Sequence, residues 1–228
     1  TITGAYVAPQ RSNAGIPSAN DWDIMIDPNL TLVEKEYTRA DIDSLNISGI
    51  VVDALSENIT ITTSGEILKI EYYVQNENDY ILQNELGNAG DFEVLTLRRT
   101  SSDSANRIVT INIPENINFQ MIGATTTNGN IHFENCVGEY GSAQTQGGQI
   151  LINSGSFSEY FTVETYSGSA LISGTILPAK GVNSSSAYFH TENGTIMFQP
   201  ADSAWDYRYR LDTGEEAQIF VNGKQYQG

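Results

Sequence analysis

The chain has 228 residues, 39% of them hydrophobic, and its 28 acidic against 11 basic side chains give a formal charge of −17. So acidic a surface repels phosphate backbones and anionic lipid headgroups, which excludes nucleic acid as an expected partner; solubility, cation binding or a basic partner remain as readings of the charge. Cys136 is the single cysteine, so there is neither an intrachain disulfide nor a cysteine metal cluster, and no run reaches the roughly 18 apolar residues that a membrane helix needs.

In chain order, residues 1–40 read as an extended arm or linker, because Pro9, Gly15, Pro17 and Pro28 interrupt any period. The chain opens on Thr1, as a trimmed or processed exported chain would. Within the arm, residues 21–27 alternate acidic and apolar, and Trp22 is expected to anchor the arm on the end of the domain. Residues 32–37 suit an edge strand or one helical turn. Short strands ended by Gly, Asn, Asp or Ser are predicted over 47–52, 59–62, 66–74, 80–84, 92–98, 108–113 and 119–122. Residues 76–90 and 101–104 read as longer polar excursions, and very little helix is expected.

From residue 124 the sequence repeats. Thr126, Thr145, Thr165 and Thr191 each stand three residues before a glycine: Gly129, Gly148, Gly168 and Gly194. Behind the glycines come the apolar pairs Ile131/Phe133, Ile150/Ile152, Ala170/Ile172 and Ile196/Phe198, and Gly214 follows in a degenerate last unit. Gly65 carries the same threonine and isoleucine spacing, so the repeat is expected to begin there. A period of about 20 with alternating apolar residues predicts an all-β fold, a single-stranded β-solenoid of the parallel β-helix kind with an irregular N-terminal half. Each glycine is expected to mark a corner and to supply positive φ. Equivalent residues would stack about 4.8 Å apart, with the threonines forming an inward ladder of hydroxyls bonded from coil to coil.

Residues 43–52 (DSLNISGIVV), 108–114 (IVTINIP) and the Asn-Gly-x-Ile unit at 128–131 with its successors together resemble a bacterial family of putative adhesins over residues 41–228. That resemblance implies a β-solenoid domain exported to the cell envelope or surface, and brings no catalytic residue and no cofactor with it. The degenerate last coil and the long arm depart from the family pattern.

Candidate chemistry is sparse. Glu139 and Glu159 share a repeat phase, so stacking would bring them within about 5 Å as a cation-binding pair or as two solvated turn carboxylates. Asp21, Asp23 and Asp27 lack the glycine and terminal glutamate of a calcium loop. His132 and His190 fall at outward positions and read as surface residues. Trp205, Tyr207 and Tyr209 alternate with charged residues and form either an aromatic platform for sugars or, the favoured reading, a cap on the last coil. No metal and no catalytic residue is expected. The sequence points to a noncatalytic envelope or surface protein that binds or scaffolds through its faces, with a cell-surface glycan or envelope protein as its expected partner. A polysaccharide-active β-helix enzyme and an extracytoplasmic sensor domain are the alternatives.

Overall fold

A computed structural model describes residues 26–86, 92–102, 107–175, 186–201 and 209–226. The described residues open with β1 (Thr31–Tyr37) and a short helix α1 (Arg39–Ser44), followed by β2 (Gly49–Asp53), β3 (Asn58–Thr63), β4 (Leu68–Val74), β5 (Tyr80–Leu86), β6 (Glu93–Arg99) and β7 (Ile108–Ile113). Then come β8 (Phe119–Thr126), β9 (Ile131–Glu134), β10 (Val137–Thr145), β11 (Ile150–Asn153), β12 (Ser156–Thr165), β13 (Ser169–Thr175), β14 (Ser186–Thr191), β15 (Thr195–Pro200), β16 (Tyr209–Thr213), β17 (Gln218–Val221) and β18 (Lys224–Tyr226). The seven strands predicted between residues 47 and 122 are all present, with ends moved by a few residues. Residues 32–37, read as part of the arm, lie within β1, which pairs antiparallel with β4. Residues 21–25, Trp22 among them, lie outside the described residues.

Helix α1 forms because Thr38 and Asp41 make a reciprocal cap: Asp41 Oδ2 accepts the Thr38 N–H at 2.8 Å and Thr38 Oγ1 accepts the Asp41 N–H at 3.3 Å. It buries one side chain, Ile42, beneath the strands.

Among the described residues the strands make two mixed sheets, one of ten strands and one of eight. In the first sheet the order is β1-β4-β7-β3-β9-β11-β13-β15-β17-β18, and in the second it is β16-β14-β12-β10-β8-β2-β6-β5. From β8 onward each glycine-centred segment gives one strand to the second sheet and the next to the first, and like strands pair in parallel. The threonines occupy one register column, Thr126↔Thr145↔Thr165↔Thr191, which Thr213 continues. The first-sheet columns run Ile131↔Ile150↔Ala170↔Ile196↔Ile219 and Phe133↔Ile152↔Ile172↔Phe198↔Val221.

The earlier half does not grow in chain order. Strands β2 and β3 lie between β6 and β8 and between β7 and β9, so the first parallel rung ends inside the stack. Antiparallel β5, β4 and β1 finish one end, and β18 closes the first sheet at the other. Inward residues of both sheets form one core, and Phe189 of β14 meets Phe198 of β15 across it with ring centroids 5.2 Å apart.

The glycines sit at the corner between the sheets, but for a different reason than positive φ. At Gly148 an added Cβ would stand 1.8 Å from the Gly129 carbonyl oxygen, at Gly168 1.7 Å from that of Gly148, and at Gly194 1.7 Å from that of Gly168. Only glycine lets one backbone approach the last so closely. Three of the left-handed residues form a column at the opposite corner, Asn135, Ser154 and Gly174, with φ of 56°, 54° and 59°. Gly65 does not belong to the series: it has φ of 77° and open space around it, and the corner position of the β2–β3 rung is held by Glu57, whose carbonyl faces Gly129.

The threonine hydroxyls also behave otherwise than expected. Each is buried and accepts the N–H of the glycine three residues on, at 3.2, 3.0, 2.9 and 2.9 Å, closing a local turn instead of bonding to the next threonine. Thr126 and Thr145 donate to carbonyls of the preceding rung, Leu55 and Gly129, both at 3.1 Å.

Candidate functional site

Two polar constellations stand out, one buried and one open. The buried one continues the glycine corner into the N-terminal rungs. Glu57 is fully enclosed: Oε2 accepts the N–H groups of Leu55 at 2.8 Å and Ser56 at 2.9 Å, and Oε1 accepts the Tyr80 hydroxyl at 2.7 Å and the Arg99 guanidinium. Beside it the buried Arg107 donates to Asp79 Oδ2 at 2.7 Å and to the Tyr73 carbonyl at 3.1 Å, while Asp79 accepts the N–H groups of Gln75 and Asn76. Burial drives the Glu57 carboxyl upward, but the Tyr80 hydroxyl, the two backbone donors and Arg99 outweigh it and hold it below its usual value. Asp79 is held well below its usual value in the same way, with Arg107 the leading partner against burial. Burial, with Glu57 next to it, pushes the Tyr80 phenol far up. These ion pairs are closed to solvent, so their role is to fill a corner that glycine backbones fill elsewhere. Nothing in the sequence marks them, since Glu57, Asp79, Arg99 and Arg107 stand far apart without a motif.

The open constellation is a groove of about 320 Å³ along the outside of the same corner, over β8, β10, β12 and β14. Its floor is the buried threonine column. One wall is the outward register column Thr125↔Gln144↔Glu164↔His190, and the other is Thr127, Gln146, Tyr166 and Glu192. Each rung therefore contributes one residue from either side of its threonine. Gln144 Nε2 donates to Glu164 Oε1 at 3.1 Å and Thr162 Oγ1 donates to the same oxygen at 3.2 Å, so among the described residues Glu164 Oε2 accepts no hydrogen bond. Tyr166 is 59% exposed. At the far end His190 lies 3.2 Å from Glu192 and 3.7 Å from Asp212, and its ring is parallel to that of Tyr188 at 6.1 Å. A second hollow lies beneath α1, between Arg39 and Gln120.

The residues singled out from the sequence lie elsewhere. Glu139 and Glu159 fall at an irregularity: the β10–β12 ladder shifts by one residue between Gly138 and Tyr140, so that Ser158 and Glu159 of β12 stand opposite Glu139 of β10. Both fall in that bulge, Glu139 exposed and Glu159 half-buried. Trp205 and Tyr207 lie outside the described residues, and Tyr209 opens β16 in register with Ala187. His132 is buried at 8% exposure, beside Glu134 at 3.2 Å and in register with Thr60 and Leu151, which corrects its reading as a surface residue. Among the described residues no three His, Cys, Asp or Glu side chains are grouped to hold a metal, and no helix is long and apolar enough to cross a membrane. The groove was missed because its residues, Thr, Gln, Tyr and Glu at outward parity, carry no motif in one dimension; the signal available was the repeat itself, two places either side of each threonine.

No protein-family model and no curated protein matches the sequence. Among solved structures, the chain aligns with a putative cell adhesion protein from Clostridium sporogenes at a TM-score of 0.55 and 12% identity, over 84% of this chain and 98% of that one. The two share a fold. Putative adhesins from Bacteroides fragilis (TM-score 0.37, 12% identity, 84% of this chain and 97% of that one) and Parabacteroides merdae (TM-score 0.27, 14% identity, 83% and 95%) are more distantly similar. The name of the Clostridium protein agrees with the adhesin family that the sequence resembles.

Proposed function

We propose that this chain is a β-solenoid that stands on a bacterial surface and binds, without catalysis, through its long lateral faces as an adhesin or scaffold. The observation that carries the reading is the in-register parallel stacking of the glycine-centred segments, each strand to its own sheet, which turns a sequence repeat into flat columns of outward side chains. A repetitive face suits a repetitive or extended partner. The surface location rests on the resemblance to putative adhesins and on the name of the Clostridium protein of the same fold. The noncatalytic part is supported by the scattering of carboxylates: Glu139, Glu164 and Glu192 fall on different rungs.

The test is adhesion itself. Beads coated with the protein are expected to bind cell-surface glycan or envelope protein immobilised on a plate, and incubation with polysaccharides is expected to release no new reducing ends or unsaturated products. Catalytic turnover of any polysaccharide overturns the proposal.

A further inference from the structure

We infer that the corner groove is a subsite for an extended, uncharged glycan lying along the stack, one sugar per rung; this rests on the lateral-face reading above. Three features converge on that class. The groove repeats at the interstrand spacing of about 4.8 Å, so its four rungs span roughly 14 Å. An extended β-linked pyranose chain advances by close to the same distance per ring, and hydroxyls on successive sugars would therefore meet equivalent positions.

The walls then supply both kinds of hydrogen-bonding partner. Gln146 presents an amide donor and acceptor, Gln144 retains its carbonyl, and Glu164 retains Oε2 as an acceptor for a sugar hydroxyl. On the same wall as Gln146 stands Tyr166, a broad exposed ring on which the C–H face of a pyranose can lie. Charge decides among polymers: Glu164 and Glu192 line the groove on a chain of net charge −17, so uronic-acid and phosphate polymers are repelled. A peptide strand is disfavoured because the walls are side chains, and strand addition needs a free backbone edge.

The experiment titrates the whole protein with cellohexaose, xylohexaose and chitohexaose as straight neutral probes and with hexagalacturonate as the anionic one, followed by calorimetry. At least one neutral probe is expected to bind, with affinity rising tenfold or more from disaccharide to tetrasaccharide and little beyond, while hexagalacturonate does not bind. Tyr166→Ala and Gln144→Ala are each expected to weaken binding at least fivefold with an unchanged melting temperature. Failure of all three neutral probes, equal binding of the anionic one, or full affinity in both variants overturns the assignment. If coated beads still adhere to cell surfaces in that event, the surface-binding role stands and only the glycan subsite falls; if they do not, both fall.

Discussion

At the scale of single residues, the corner glycines and the threonines before them form a two-part device. The threonine hydroxyl holds the turn by accepting the glycine N–H, and the bare glycine Cα lets the next rung settle against the carbonyl below. Gly148→Ala is therefore expected to lower stability by about 3 kcal/mol, the range for forced overpacking, as read by urea denaturation. Gly65→Ala, with positive φ but open space, should cost only about 1 kcal/mol. Thr165→Val keeps the shape and strands the Gly168 N–H in a buried site, at about 1–3 kcal/mol. Equal losses at Gly65 and Gly148 would refute the close-approach account. Cys136 offers a separate check: burial pushes its thiol up to about 12, and it should resist thiol reagents until the protein unfolds. The threonine–glycine spacing was legible in the sequence; its reason was not, because tight backbone approach and positive φ call for the same residue.

At the scale of elements, the N-terminal rungs replace that device with ion pairs. Glu57 takes the glycine's place in the β2–β3 turn, and its side chain is held by Tyr80 and Arg99 from β5 and β6. Removing it as Glu57→Ala takes away the buried carboxylate that Tyr80 and Arg99 share and is expected to cost about 3–5 kcal/mol. The same network sets a pH dependence. The Glu57 and Asp79 carboxyls sit below their ordinary values in the fold, so the stability they contribute is complete above the ordinary carboxyl range near pH 4 and is lost progressively as pH falls below that range toward their folded-state values. Urea midpoints should be flat from neutrality to about pH 5 and then decline, and the decline should be shallower in Glu57→Gln. An equal acid slope in both proteins would refute the assignment. Individual strands here were legible from alternation, as at Ile108–Ile113. Their neighbours were not, since no glycine phases the β2–β3 rung and the residues that seal its corner come from three distant segments.

At the scale of the molecule, the two ends differ in kind. Antiparallel β1 carries Glu34, Lys35 and Glu36 along its outer edge, charges that discourage another strand from pairing there. The other end is finished by β16 and by the short hairpin of β17 and β18. A chain ending at residue 201 would uncover β14 and β15 and is expected to remain folded but to self-associate with rising concentration, as seen by light scattering. Removing residues 49–63 instead should abolish folding, because β8 and β9 would lose their partners on one side.

The central position of β2 and β3 also has a temporal meaning. During synthesis these two strands leave the ribosome first among the parallel ones, yet Ile59 waits for Val109 on one flank and Ile131 on the other. The nascent chain must carry exposed, greasy ribbons while the roughly 70 residues from Ile59 to Ile131 are added, a window in which chaperones matter most. Every later turn docks on a completed platform as it emerges, so maturation should be slow to start and quick to finish.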